Sequence, residues 1–503
     1  MNLLIRADAS VAIGTGHVMR CLALAQAWQD TGGQATFAMA ETTTAIEARL
    51  ACESCEVVPV ASPPGSAGDA SQLTALAQHR NFEWIVVDGY CFSAEYQLAL
   101  KNAGLKVLFI DDSGRAKHYF ADIVLNQNVH ADEKMYEARE AYTRLLLGPR
   151  YCMLRREFAP WREWKREIAT IGRRVLVTVG GSDAENLTGR LIEALVLAKS
   201  QALEATVVIG GSNSHFAKLR KLAAESAKQI STMRDAPNLA RIMADSDVAV
   251  SAAGSTCWEL CLLGLPSLLI DVAPNQTDIA KELARRGCAI HLGDRGVLAK
   301  EVARQLDILL QLHERRQILS ERSRMLVDGC GAQHVVSALR GGNGLRLRRV
   351  RREDSHLLWE WANDAHVRAA SFCSDPISWP THAAWFEQRL AQENCTIFIA
   401  EDEESNPCGQ IRFDPRPDGG WEVGVSVAKE ARGRGVASRL IGSGVRSMLN
   451  GKASSARFHA FVKLDNTASI RAFEKAEFRQ LGSEQVHGKP AIHFVYQKNG
   501  AGH

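Results

Sequence analysis

Three stretches of this chain pair glycines with residues that could bind an anion or move a proton. In the first, an apolar run from Asn2 to Ala7 continues through Asp8-Ala9-Ser10 and Ile13-Gly14-Thr15-Gly16-His17 into a helical pattern from Val18 to Gln29. Gly14 and Gly16 keep side chains off the turn, so backbone N–H groups can approach an anionic group and the helix dipole adds attraction. His17 falls just past the carboxyl end of a strand, where open α/β sheets bind ligands. An imidazole there can exchange a proton near neutral pH, although a lone histidine also suits plain packing. In the second stretch, Gly254-Ser255-Thr256 opens a helix that carries Glu259. Alone it reads as an ordinary helix start, and Glu259 with Asn275-Gln276 tips it toward binding. In the third, Val427 precedes Arg432-Gly433-Arg434-Gly435-Val436-Ala437 and a helix from Ser438 to Leu449. Its glycines leave room for successive N–H groups to face phosphate oxygens.

The elements that must position these residues follow from pattern. Apolar, β-rich runs alternate with helical stretches over the first 335 or so residues, as parallel sheets with crossover helices require. The first set is Asn2 to Ala7, Trp84 to Asp88, Val107 to Ile110 and Ile123 to Leu125. The second is Val175 to Val179, Ala205 to Ile209, Val248 to Ser251 and Ser267 to Ile270, and Tyr151 to Ile171, rich in Arg, Glu and Trp, joins the two. A new pattern begins after Gly341-Gly342-Asn343-Gly344, with strands Thr396 to Glu401, Pro407 to Asp414 and Trp421 to Ala428 and helices at Asp354 to Asn363 and about His382 to Leu390. The expected fold class is therefore α/β for two Rossmann-like units at 1–160 and 161–340. A linker at 341–344 and an α+β domain at 345–500 follow.

Composition excludes several function classes. Hydrophobic residues make up 46% and charged residues 23%, so stable globular domains are expected and disorder is not. A net charge of +3 gives no reason to expect a nucleic-acid or membrane-surface partner. The Arg-rich run Arg346 to Arg352 alternates with Leu and Val, as in a half-exposed strand. No run approaches the roughly 20 apolar residues that span a bilayer, and Met1 to Ser10 lacks a signal-peptide core, so no membrane insertion and a cytoplasmic location are expected. Cysteines sit in apolar contexts typical of reduced thiols. Cys52 and Cys55 form a lone CxxC with no second pair, and no metal is expected.

The first two units resemble the UDP-sugar hydrolase family of the pseudaminic acid pathway. The resemblance is carried by Arg6-Ala7-Asp8-Ala9-Ser10, Gly14-Thr15-Gly16-His17, Met19-Arg20-Cys21-Leu22-Ala23-Leu24-Ala25, Val87-Asp88-Gly89-Tyr90 and Ile110-Asp111-Asp112. It continues through Leu125-Asn126-Gln127-Asn128, Leu147-Gly148-Pro149-Arg150-Tyr151, Gly180-Gly181-Ser182-Asp183 and Asn186-Leu187-Thr188. Ser251 to Glu259, Gly264-Leu265-Pro266 and Asn275-Gln276 are similar to the nucleotide-sugar half of GT-B enzymes. The resemblance implies a GT-B arrangement and replacement of UDP by water at the anomeric carbon. His17 would be the base, Tyr90 and Asn275 would orient the sugar, and Gly14, Gly16 and Arg20 would line the substrate site. Gly181, Ser182, Ser255 and Thr256 would face the diphosphate, with Glu259 on the ribose and Gln276 also in the UDP site. Gly89 stands where this family often has histidine.

The last domain is similar to GNAT acetyltransferases, on Arg432 to Ala437 and on Asn466-x-x-Ser469-Ile470-Arg471-Ala472-Phe473-Glu474-Lys475. The likeness implies acetyl-CoA as co-substrate, held by Val427, Arg432, Gly433, Arg434, Gly435, Val436, Ala437, Ser438 and Asn466. Phe473 departs from the tyrosine that usually protonates the leaving thiolate. Glu422, on the strand beside the expected splay, is the candidate base for the amine. Trp359, Trp361, Asn363, Arg368, His382, Trp385 and Phe386 resemble a subgroup acting on nucleotide sugars, and core packing explains the aromatic residues equally well. The expected substrates are a UDP-4-amino-sugar for acetylation and the resulting UDP-diacetamido-sugar for hydrolysis. The alternatives are a glycosyltransferase using the same cleft and a non-catalytic nucleotide-sugar-binding scaffold.

Overall fold

Apolar runs of four to six residues, cut off by Gly, Pro, Asp or Asn, build two parallel sheets, and a longer set builds a mixed one. The computed structural model describes every residue except 1, 11–12, 181–182, 184, 212, 235, 237, 341–344, 393, 403–405, 434, 450–455 and 498–503. The expected linker thus lies outside the described residues. The chain divides into two units, Met1–Leu339 and Arg340–His503.

The first unit holds two sheets. One comprises β1 (Asn2–Ala7), β2 (Gln34–Met39), β3 (Glu56–Pro59), β4 (Trp84–Asp88), β5 (Val107–Ile110), β6 (Ile123–Asn126) and β7 (Arg144–Leu147) in the order β3-β2-β1-β4-β5-β6-β7. β4, β5 and β6 are buried along their whole length, as parallel strands covered on both faces must be. The other comprises β8 (Arg174–Thr178), β9 (Glu204–Ile209), β10 (Gln229–Arg234), β11 (Val248–Ala252), β12 (Ser267–Asp271) and β13 (Ile290–Asp294), ordered β10-β9-β8-β11-β12-β13. Every pairing in both sheets is parallel.

The joining segment is pinned rather than loose. Arg166 donates to the carbonyls of Met243, Ala244, Ser246 and Leu263, and burial pulls its guanidinium down to about 10. The helix Gly331–Leu339 then returns to the first sheet. Its Ala332, Val335, Val336 and Leu339 share one core with Val18, Leu22 and Ala25 of the helix Gly16–Gln29. That helix is buried almost all round, which explains why its apolar residues show no single stripe.

The second unit is a seven-stranded sheet of β14 (Arg346–Arg349), β15 (Thr396–Glu401), β16 (Pro407–Pro415), β17 (Trp421–Val427), β18 (Arg457–Lys463), β19 (Arg479–Val486) and β20 (Lys489–Gln497). Its order is β14-β15-β16-β17-β18-β20-β19, antiparallel except between β17 and β18. Those two strands pair only at Trp421↔Phe458 and Glu422↔His459 and then part. The helix Val436–Leu449 buries Leu440, Ile441, Val445 and Met448 against one face. Arg348 of the Arg-rich run is bound by Asp354 and Glu401.

Gly331 is where the returning helix meets the joining segment. A Cβ there would come within 2.2 Å of the Cys152 carbonyl oxygen and 2.5 Å of its nitrogen, backbone atoms that cannot swing aside. Gly331→Ala is expected to cost about 2 kcal/mol of stability, as overpacking does, measured by urea unfolding. An unchanged urea midpoint would show that the helix is not held at this contact.

Candidate active site

The carboxyl ends of β1 and β4 lie side by side, with Ala7 opposite Asp88, where the strand order of the first sheet reverses. Such a reversal leaves a crevice above the sheet. β1 runs on to Gly14, and the helix begins at Gly16, so His17 and Arg20 share one helical face. Asp88 ends β4 at 1% exposure. Its Oδ1 lies 2.7 Å from His17 Nδ1 and accepts from Arg20 Nη2 at 2.6 Å, and its Oδ2 accepts from Arg20 Nε at 2.6 Å and from Cys21 Sγ at 3.3 Å. Arg20 Nη2 also lies 3.2 Å from His17 Nδ1. A guanidinium only donates, so Nδ1 cannot be its acceptor while protonated toward Asp88. The shorter contact to the carboxylate puts the proton on Nδ1 and the lone pair on Nε2.

The cluster extends along the strand ends. Arg20 Nη1 donates to both Asp112 oxygens at 2.8 and 2.9 Å, and Asn128 Nδ2 donates to Asp112 Oδ1 at 2.9 Å. Tyr90 stands edge-on to His17, centroids 4.9 Å apart, and donates to Asp112 Oδ2 at 3.3 Å. Asn275, from the second sheet's side of the unit, donates to the Tyr90 hydroxyl at 2.8 Å. A polar cavity of about 490 Å³ adjoins this bridge, lined among others by Asp112, Arg115, His130, Asn275 and Lys281. Burial disfavours charge on Asp88, but Arg20 and His17 outweigh it and hold the carboxyl well below the usual range. Tyr90 is 62% exposed, but desolvation of its hydroxyl, with Asp112 beside it, pushes the phenol up, so it remains a donor.

The second sheet also reverses, between β8 and β11. β8 leads toward Gly181 and Ser182, which lie outside the described residues. β11 leads into Gly254, Ser255 and Thr256, and Ser255 occupies the N-cap position of the helix Thr256–Leu262 without making a side-chain cap. Gln276 accepts from Val272 N at 3.1 Å, and its Nε2 would lie 3.4 Å from any Cβ at Gly254. Glu259 is buried and pairs with Arg155 at 3.0 Å. Burial pushes its carboxyl up while Arg155 pulls it down.

In the second unit, Gly433 and Gly435 take φ of 76° and 68°, left-handed conformations that side chains resist, and they lead into the helix at Val436 with Ala437 and Ser438 in its first turn. A helix start reached through such residues has backbone N–H groups of the kind that bind anions. Arg432 is committed elsewhere: it donates to the Val427 carbonyl at 3.1 Å and pairs with Asp364 at 2.6 Å, which braces the turn. Arg434 lies outside the described residues. Asn466 caps the helix Thr467–Lys475 by accepting from Ser469 N at 3.1 Å. Glu422 is 49% exposed and lies 3.5 Å from Arg416. Phe473 is buried against Phe478 and Phe494. His382 and Phe386 are buried as well, while Trp359 and Asn363 both donate to the Ile377 carbonyl.

Of the residues singled out from sequence, His17, Arg20, Tyr90 and Asn275 come together, and so do Gly254, Ser255, Thr256 and Gln276. Asp88, Asp112 and Asn128 belong to the first cluster without having been assigned a role. Their signal was present: each ends or closely follows a wholly apolar strand, β4, β5 or β6, on the edge that carries His17.

The folded chain holds Asp88 ionised at lower pH than an unfolded chain does. Its contribution to stability is therefore complete above the ordinary carboxylate pKa of about 3.9 and is lost as pH falls below it. Wild-type unfolding free energy is expected to fall steeply below about pH 4, and that of Asp88→Asn to fall less steeply there. Parallel pH–stability curves would show that this charge does not hold the cluster.

Parts of the chain match known families and proteins. The acetyltransferase (GNAT) domain family matches residues 344–479, and the glycosyltransferase family 28 C-terminal domain matches residues 174–328. An uncharacterised protein of Methanocaldococcus jannaschii is 21% identical over 95% of this chain and 97% of its own length. The UDP-2,4-diacetamido-2,4,6-trideoxy-beta-L-altropyranose hydrolase of Campylobacter jejuni is 28% identical over 57% of this chain and 97% of its own. Among solved structures, MurG of Acinetobacter baumannii aligns with a TM-score of 0.49 and 17% identity, covering 68% of this chain and 99% of that one. The chain is thus a fusion enzyme, in which an N-terminal part similar to UDP-sugar hydrolases precedes a GNAT acetyltransferase domain.

Proposed function

We propose that the GNAT domain acetylates the 4-amino group of UDP-4-amino-4,6-dideoxy-N-acetyl-altrosamine, with acetyl-CoA as donor, and that the first unit then hydrolyses UDP from the 2,4-diacetamido product, in pseudaminic acid biosynthesis. The observation that carries the hydrolase reading is the His17–Asp88 pair at the reversal of the first sheet, with Nε2 left as the acceptor. Water bonds to the anomeric carbon, the carbon–oxygen bond to phosphate breaks, and UDP leaves with the electron pair. The water proton passes to His17 Nε2. Asp88 and Asp112 outnumber Arg20 by one charge, so protonating the imidazole leaves His17, Arg20, Asp88 and Asp112 formally neutral together. Tyr90 and Asn275 orient the sugar. Ser255, Thr256, Gln276, Gly181 and Ser182 take the diphosphate, and Glu259, steadied by Arg155, accepts the ribose hydroxyls.

In the GNAT domain, the turn Arg432 to Ala437 receives the pyrophosphate of CoA, with Val427, Ser438 and Asn466 alongside, and the thioester reaches the place where β17 and β18 part. The match of residues 174–328 to a glycosyltransferase domain supports one alternative, a transferase that uses the same cleft with a sugar acceptor. UDP release without any added acceptor separates the two.

Mass spectrometry of products made from acetyl-CoA and the UDP-4-amino-sugar tests the whole reading. His17→Ala is expected to abolish UDP release, a loss of at least about 100-fold, while acetylation continues. Loss of both activities in a folded variant would contradict it. The hydrolase is also expected to prefer the 4-acetamido over the 4-amino compound at least tenfold, roughly, because a buried ammonium without a partner is rejected. Equal specificity constants would remove that ordering.

Gly435→Val should raise the KM for acetyl-CoA by about tenfold or more, since a branched side chain both strains a left-handed residue and fills the turn. An unchanged KM would place CoA elsewhere.

A further inference from the structure

The vertex where β17 and β18 part carries a chain of side chains that the acetyltransferase reading has not used. His459, opposite Glu422 in the last paired position, is 7% exposed. Its Nδ1 lies 2.9 Å from Nε2 of His493 on β20, and His493 Nδ1 lies 2.7 Å from Oε1 of Glu484 on β19. A carboxylate only accepts, so His493 Nδ1 carries a proton, His493 Nε2 carries a lone pair, and His459 Nδ1 must donate to it. That assignment leaves the lone pair of His459 on Nε2. This atom is buried and has no hydrogen-bond partner among the described residues. Asp418 stands 3.7 Å away, beyond hydrogen-bond range. Gly420 packs close by, and a Cβ there would come within 3.0 Å of Nε2 and crowd it.

We propose that His459 Nε2 takes the proton from the attacking amine, and that His493 and Glu484 are positioning residues that fix its tautomer and carry the proton to the surface. The inference rests on the acetyltransferase reading above, though not on the identity of the sugar. Glu422 is less suited to the task, being half-exposed and beside Arg416. Other charged groups around His459 are Arg416 and Asp418 from the β16–β17 turn and Arg457 on its own strand. Burial, helped by Arg416, His493 and Arg457 and opposed by Asp418, draws the imidazole below its ordinary value and keeps it neutral at pH 7.

The step balances. The amine nitrogen bonds to the thioester carbonyl carbon, the carbon–sulfur bond breaks, and sulfur leaves with the electron pair. The ammonium proton passes to His459 Nε2, the Nδ1 proton of His459 passes to His493 Nε2, and the Nδ1 proton of His493 passes to Glu484. Glu484, 53% exposed, holds it until the Nε2 proton of His459 passes to the thiolate, and it then returns along the chain and restores both tautomers. The products are an amide and a thiol. An amine reaching the vertex also gives Nε2 the donor that it lacks.

The test is kcat/KM for acetyl transfer by the full chain from about pH 6 to about pH 10, with a panel of primary amines that includes the UDP-linked 4-amino-sugar. His459→Gln should lose about 100-fold near pH 7, with the deficit closing as pH approaches the amine's own pKa and free amine becomes abundant. His493→Gln should show the same shape with a smaller loss. Glu484→Gln, at an exposed position that does not threaten folding, should lose several-fold with the same pH dependence, and the KM for acetyl-CoA should change less than about twofold in all three. Profiles of His493→Gln and Glu484→Gln parallel to wild type would overturn the relay, as would a pH-dependent loss in Glu422→Gln but in neither histidine variant. Transfer to other amines and not to the sugar would remove the sugar reading and leave this test intact. Transfer to no amine would overturn both.

Discussion

A carboxylate with 1% exposure must find donors within the protein, and Asp88 finds four. Taking that charge out of water costs more than a single pair returns, unless further bonds fill the remaining lone pairs. Arg20 supplies them, and in doing so ties Asp88 to Asp112 and through it to Asn128 and Tyr90. One helix start and three strand ends are therefore held in mutual register by charge. A small shift of any of them would leave an ion unpaired in a dry place. His17 inherits its tautomer and its orientation from this arrangement, so in the proposed reaction the base is set by a carboxylate, Asp88, that does not itself touch the substrate.

In the proposed reaction the GNAT domain meets its anion with backbone instead of side chains. Two left-handed glycines lead into a helix start, and Arg432 is held by Val427 and Asp364. Side chains return where a proton must move: at the vertex of β17 and β18, one strand pairing brings Glu422 beside His459, and the neighbouring strands bring His493 and Glu484. The first unit places its polar atoms at strand ends above a parallel sheet. The second places them on a strand face beside a deliberate break in pairing.

Much of this was legible in the chain. The strand runs Asn2 to Ala7, Trp84 to Asp88 and Val107 to Ile110 stand where their apolar content put them, and all three glycine turns open helices, because local patterns of that kind are set by local sterics. The Gly16–Gln29 helix starts slightly before the periodic run at Val18, since the turn's own residues complete its first coil. What pattern could not show is partnership across distance. Asp88 and Asp112 were visible as parts of motifs, yet only folding brings them to Arg20. The motif around Glu259 carries no sign that Arg155 reaches it. His459, His493 and Glu484 come from three strands and share no motif at all. Gly181, Ser182 and Arg434 lie outside the described residues, so their assignments rest on resemblance alone.

The helix Gly331–Leu339 has a consequence for synthesis. It supplies one wall of the core around the helix that bears His17, although it is encoded after the whole of the second sheet. A nascent chain that has made only the first sheet carries an uncovered apolar wall on the helix that bears His17 until the ribosome has added residue 339 and that segment has cleared the exit tunnel. The two sheets of the first unit are in that sense one folding event rather than two. The first unit is finished only as the GNAT domain's own strands begin to be made, so the order of translation sets the order in which the two enzymes mature.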